Sequence, residues 1–246
     1  MLNYEKMIQE FDLNTVAEQF LAGSMDAVNA CYECCDRYAD SDKIALIWVG
    51  KDGTKEQYSF RELKKYSSQF ANFLKSQGVQ KGDRVSGLLP RTVELIITIL
   101  ATWRIGAVYQ PLFTAFGPKA IEHRIQIAQS KLVITDLSNR NKLSEISDCP
   151  TIVTVHAETE AAKYPTDLSF WTVLNRQAEH CEMEMLNIDS PFLLMFTSGT
   201  TGPAKALKVP LKALVAFASY MQNAIGLKSE DHFWNIADPG WAYGLY

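Results

Sequence analysis

The sequence predicts an α/β protein built on a largely parallel sheet flanked by helices. Segments of strand-like composition alternate with segments of helical periodicity through most of the chain. Several strand-like runs are short, apolar and β-branched, as buried strands are. Helix start and stop signals punctuate the stretches between them.

In chain order, the first well-marked helix begins at Ser59. Ser59 can cap it, Glu62 stands three residues on as in a capping box, and Gly78 supplies the stop. Phe60, Leu63, Phe70, Phe73 and Leu74 form its apolar stripe, with Lys64, Lys65 and Lys75 on the wet side. Lys81-Gly82-Asp83 is a turn into a short buried strand, Val85 to Leu89. A second helix, Val93 to Arg104, stops at Gly106; the strand Ala107 to Tyr109 follows. Pro118 suits the first turn of another helix. Leu132 to Thr135 and Ile152 to Val155 read as buried strands. Phe192 to Phe196 is a further strand, ending abruptly in a Thr/Ser/Gly loop. Leu211 to Ile225 reads as helical and Phe233 to Ala237 as extended. The polar connection Glu179 to Asp189 divides an N-terminal α/β subdomain, 1–189, from the start of a second, 190–246. Repeats and low-complexity tracts are absent.

Composition narrows the function classes. With 47% apolar and 21% charged residues, a chain of 246 can bury a core without disulfides or structural metal. Lys+Arg 24 against Asp+Glu 28 gives a formal charge of −4, which argues against a general nucleic-acid binder but not against a local pocket for one nucleotide. Glu5, Lys6, Glu10, Asp12 and Glu18 interrupt the N-terminus, so it does not read as a secretory signal. Leu95 to Trp103, broken by Thr98 and Thr102, is too short for a membrane span, and the expected location is cytoplasmic. Cys31, Cys34 and Cys35 could share one helix face, but no fourth ligand follows at zinc spacing. With Cys149 and Cys181 they read as thiols in a reducing compartment, and no metal site is expected. His123, His156, His180 and His232 show no metal spacing, and Gly-x-Ser-x-Gly is absent; His232 reads as a structural histidine.

The segment that carries chemistry is Phe196-Thr197-Ser198-Gly199-Thr200-Thr201-Gly202-Pro203-Ala204-Lys205. Gly199 and Gly202 remove Cβ atoms that would block the backbone from approaching an anion. Thr197, Ser198, Thr200 and Thr201 add hydroxyl donors, and Lys205 adds a point charge. Phosphate is the guest such a loop suits; a turn-forming surface loop is the competing reading. It is not a Walker A loop, because Pro203 follows Gly202, and no Gly-x-Gly-x-x-Gly exists.

Thr-Ser-Gly-Thr-Thr-Gly followed closely by Lys205 resembles the signature phosphate loop of the adenylate-forming superfamily. Where that family usually has Pro-Lys-Gly, this chain has Ala204-Lys205-Ala206, with a proline moved to Pro203; the lysine stays in register. Lys81-Gly82-Asp83-Arg84-Val85, Leu89-Pro90-Arg91, Ala107-Val108-Tyr109 and Pro111-Leu112-Phe113 follow in the order of acyl-CoA synthetases. Phe116 to Ile121 with Arg124-Ile125, and Ala237 to Trp241, are similar to stretches of acetyl- and propionyl-CoA synthetases.

The resemblance implies the N-terminal portion of an AMP-forming acyl-CoA synthetase, with ATP, Mg²⁺ and coenzyme A as substrates of the complete enzyme. The partners it implies are a short- to medium-chain carboxylic acid, ATP and CoA, with the oligomeric state left open. Residues Thr197 to Gly202 would hold the β- and γ-phosphates, and Lys205 would be catalytic in offsetting charge on pyrophosphate. Trp241, Ala242 and Tyr243 would enter the acyl pocket, with core aromatics at a strand end as the other reading. Arg140 stands where related enzymes place basic residues near the CoA phosphates; a solvated surface arginine is the alternative. Asp83 and Arg84 read as turn and packing residues.

The family's aromatic-Gly-x-Thr-Glu segment, its ribose-binding Asp and its C-terminal domain are not in this sequence. A fragment of a full synthetase, inactive alone, is therefore expected. The alternatives are a naturally truncated, catalytically inactive nucleotide-binding or regulatory module, and a subunit completed by a partner. Exposed sheet edges are expected in each case.

Overall fold

The computed structural model describes residues 11–156, 163–197 and 204–245, together with Glu5, Ile8 and Gln9. Two helices, α1 (Leu13–Phe20) and α2 (Ala30–Cys34), precede an antiparallel pair, β1 (Ile44–Val49) and β2 (Lys55–Ser59). Helix α3 (Phe60–Ser76) starts as its sequence predicts. The Ser59 hydroxyl accepts the Glu62 N–H at 3.2 Å, and the Glu62 carboxylate accepts the Ser59 N–H at 2.8 Å. Two donors that a helix start would otherwise strand are thereby satisfied. Leu63, Phe70, Phe73 and Leu74 are buried, as the stripe requires.

From there the chain alternates. It runs through β3 (Arg84–Leu88), α4 (Val93–Arg104), β4 (Val108–Pro111), α5 (Pro118–Ala128), β5 (Ser130–Asp136) and α6 (Leu137–Arg140). Next come β6 (Thr151–Val155), β7 (Leu168–Ser169), α7 (Phe170–Asn175), β8 (Pro191–Thr197) and β9 (Lys205–Pro210). Helix α8 (Ala213–Tyr220) continues into a π-helical turn, Met221–Ile225, and closes at Gly226 with φ 75°; a short α9 (Ala242–Leu245) follows.

Seven strands form one sheet in the order β7-β6-β5-β3-β4-β8-β9, and only the β8–β9 pair is antiparallel. Parallel neighbours need crossovers, which is why helical segments alternate with strands in the sequence. Strand β5 shows how the sheet is sandwiched. Leu132 and Ile134 enter a core with Phe70, Leu74, Ile97 and Tyr109, whereas Val133 enters the opposite one with Leu88, Leu112, Ile121 and Ile125. Successive side chains point to opposite faces, so where the strand is covered on both sides, as from Leu132 to Ile134, consecutive residues are apolar. Among the described residues no helix is long and apolar enough to cross a membrane.

Some expectations need correction. Phe233 to Ala237 pairs with no strand. The Ala237 N–H donates to the Asn235 side chain at 2.8 Å, and the carbonyls of Ile236 and Ala237 accept from Arg91, so the groups a ladder would use are taken. His232 is exposed rather than a packed structural histidine. The cysteine cluster does not present one face: Cys31 and Cys35 are buried and Cys34 is exposed, all as free thiols. Burial pushes the Cys35 thiol up to about 12.

Candidate functional site

The site is framed by the two strands that leave and re-enter the Thr/Ser/Gly segment. Thr197 ends β8 and Lys205 begins β9; they face each other in the antiparallel ladder, followed by the pair Phe196–Ala206. Both Thr197 and Lys205 are exposed. Ser198, Gly199, Thr200, Thr201, Gly202 and Pro203 lie outside the described residues. The stems open at the carboxyl end of β8, and in open parallel sheets ligands bind at the carboxyl ends of the strands.

Helix α5 contacts both stems. His123 Nε2 lies 3.2 Å from the carbonyl oxygen of Ala204, immediately before Lys205. Arg124 places its guanidinium carbon 5.4 Å from the ring centroid of Phe196 and 4.1 Å from that of Phe116. Burial lowers the pKa of Arg124. Neither residue was assigned a part in the site by sequence reasoning. In the sequence His123 shows no metal spacing and Arg124 is only a matching position in a shared stretch. Pro118 marks the start of α5, but nothing local marks what its middle touches.

The second part of the site is the segment before α9. Arg91, just after β3, donates to the carbonyls of Ile236 and, at 2.6 Å, Ala237. The Asp238 carboxylate accepts the Gly240 N–H at 2.7 Å, which makes a tight turn. Gly240 lies against Phe113 so closely that a Cβ there would overlap the Phe113 backbone. Trp241, half exposed at 51%, packs on Phe113 with ring centroids 5.6 Å apart. The side chains of Ala242 and Tyr243 lie outside the described residues. The two parts are joined by contact: Phe113 meets Phe116 edge-on at 5.3 Å, and Phe116 carries Arg124. A run from Trp241 through Phe113, Phe116 and Arg124 to Phe196 thus links the candidate acid pocket to the outgoing stem of the loop.

Arg140 departs from the expectation of a solvated surface residue. It is 7% exposed and holds Asp167 through Nε at 2.5 Å and Nη2 at 2.8 Å, with Ser144 on Nη1 at 2.9 Å. A guanidinium with those donors engaged is a structural clamp between α6 and the start of β7. Arg84, read as a packing residue, is one: it donates to the carbonyls of Ala128, Gly82 and Gln129. Among the described residues no group of three His, Cys, Asp or Glu gathers to hold a metal.

The sheet order and the stems at the carboxyl end of β8 describe the fold, and comparison with known proteins supplies the family. Residues 33–246 match the family described as AMP-binding enzyme, and the chain belongs to it. It is 32% identical over 249 residues to the acetyl-coenzyme A synthetase of Bacillus subtilis (strain 168), covering 98% of this chain and 43% of that protein. It is also 32% identical over 238 residues to the acetyl-coenzyme A synthetase of Helicobacter pylori (strain G27), covering 88% of this chain and 36% of that one. The crystal structure of Brucella canis acyl-CoA synthetase superposes with a TM-score of 0.94 at 46% identity, over 100% of this chain and 45% of that one. The chain thus spans between 36% and 45% of the length of these relatives.

Proposed function

We propose that this chain is part of an ATP-dependent, AMP-forming acyl-CoA synthetase acting on short- to medium-chain acids. In the first half-reaction the acid's carboxylate oxygen attacks the α-phosphorus of ATP, forming an acyl-adenylate and releasing pyrophosphate. In the second, the thiolate of coenzyme A attacks the acyl carbonyl, AMP leaves, and acyl-CoA forms. Bringing a carboxylate up to a triphosphate opposes like charges, so the protein's task is positioning and charge compensation. The loop from Thr197 to Gly202 wraps the β- and γ-phosphates, and Lys205 balances charge on the departing pyrophosphate. Mg²⁺ enters with the nucleotide as Mg·ATP. Trp241, Ala242 and Tyr243 bound the acid.

The observation that carries this reading is the facing of Thr197 and Lys205 at the mouth of β8, in a chain 46% identical to an acyl-CoA synthetase. The relatives extend well beyond the matched region, so turnover is assigned to a polypeptide that includes this chain. Alone, the chain is expected to bind Mg·ATP without acid-dependent ATP–pyrophosphate exchange. The test is that exchange, run on the longer polypeptide with straight-chain acids of increasing length. Lys205→Ala should depress it with every acid, and a smaller residue at Tyr243 should move the preferred length. Unchanged exchange in Lys205→Ala removes the catalytic role of the lysine.

A further inference from the structure

We propose that Arg124 is an anion-binding residue of this site, its guanidinium taking a phosphate oxygen of the nucleotide's triphosphate beside the outgoing stem of the loop. The proposal rests on the reading of residues 197–205 as a phosphate loop and adds a residue from a different element.

Geometry directs the charge toward the loop. Arg124 Nη1 donates to the Ala120 carbonyl at 2.8 Å, so the side chain runs back one turn toward the N-terminus of α5. That end follows β4 directly and therefore lies at the carboxyl side of the sheet, where the loop opens. The guanidinium rests over the rings of both Phe116 and Phe196, and Phe196 is the residue before Thr197. His123, beside it, contacts the return stem at Ala204.

Charge balance distinguishes Arg124 from the other arginines that are not exposed, namely Arg37, Arg84, Arg104 and Arg140. Arg104 is paired with Asp36, Arg140 with Asp167 and Arg37 with Glu33. Arg84 lacks an acid but donates to several carbonyls. Among the described residues Arg124 meets no carboxylate, and one carbonyl is its hydrogen-bond partner. The segment 198–203 contains no acidic residue either. A half-buried cation without a counter-charge is costly, and an incoming polyphosphate supplies that charge. The run of contacts from Trp241 to Phe196 also sets this cation between the proposed acid pocket and the outgoing stem of the loop.

The test is pyrophosphate binding to the purified chain by calorimetry, with AMP as the single-phosphate comparison. Arg124→Gln should weaken pyrophosphate about tenfold or more, the loss expected for a hydrogen bond to a charged group, and should affect AMP less. Arg124→Lys, which keeps the charge without the fork, should fall between. If Lys205→Ala weakens binding and Arg124→Gln does not, the inference fails and the loop reading stands. If the wild type binds no pyrophosphate, or neither substitution matters, both fail. Should Arg124→Gln not fold, phenylglyoxal labelling of the wild type decides. Bound pyrophosphate should shield Arg124 in mapped peptides, and an unshielded Arg124 at saturation overturns the proposal.

Discussion

Strands β5 and β9 belong to one sheet and differ in almost everything else. In β5, Ser130 and the run from Leu132 to Thr135 are buried between two layers of helix. In β9, Lys205 to Lys208 are exposed, with Leu207 at 53%. The stretch that follows β9 keeps Trp234 at 77% and Ile236 at 76% exposure. The contrast extends to the arginines. In the core Arg104 and Arg140 are paired with the buried acids Asp36 and Asp167, whereas at the loop Arg124 rests on aromatic rings. One region of the molecule is therefore buried core and the other is the exposed surface to which ligand binding is proposed, and substitutions should separate the two.

The largest effect should come from Asp36→Ala. Asp36 receives Arg104 through two bonds, at 2.7 and 3.0 Å, and both side chains are almost fully buried. Removing the acid leaves a buried cation alone, so a loss of about 3–5 kcal/mol is expected by urea unfolding. The folded fraction should still bind Mg·ATP. Loss of binding without loss of stability would merge the two regions.

Gly240→Ala should follow, at about 1–3 kcal/mol, because the added carbon must displace Phe113 or the turn that carries Trp241. The near-ultraviolet circular dichroism of the Trp241–Phe113 pair reports it; an unchanged spectrum would show that the turn is not held there. Ser59→Ala should cost about 1 kcal/mol in thermal unfolding, as a lost N-cap, with no effect on nucleotide binding. The smallest effect is in pH. The Ser59 N–H and hydroxyl hold the Glu62 carboxyl below its ordinary value of 4.5. A depressed acid stabilises above that value and loses its contribution as pH falls through the lowered one. Glu62→Gln should therefore flatten the acid limb of stability below about pH 5; an unchanged limb would count against the capping box in solution.

What was legible in the sequence was local. Ser59 with Glu62, the helix Val93–Arg104, Pro118 and the β-branched run at 132–135 each carry their signal within a few residues. The Thr/Ser/Gly run stands out in the sequence for the same reason, as a local composition; residues 198–203 lie outside the described residues, and its reading as a phosphate loop remains a proposal. Contacts across sequence were not. His123 meets Ala204 across 81 positions, and Arg104 meets Asp36 across 68. No periodicity encodes such pairs. Phe233 to Ala237 has a strand's composition but joins no ladder, because Arg91 and Asn235 occupy groups a ladder needs.

The central claim is that the mouth of β8 binds nucleotide phosphates through Lys205, and titration of the purified chain with Mg·ATP, wild type beside Lys205→Ala, tests it most directly. The account predicts saturable binding that weakens about tenfold or more in Lys205→Ala, with unfolding unchanged within about 0.5 kcal/mol because the lysine is exposed. Equal binding by the two proteins, or none by the wild type, would contradict it.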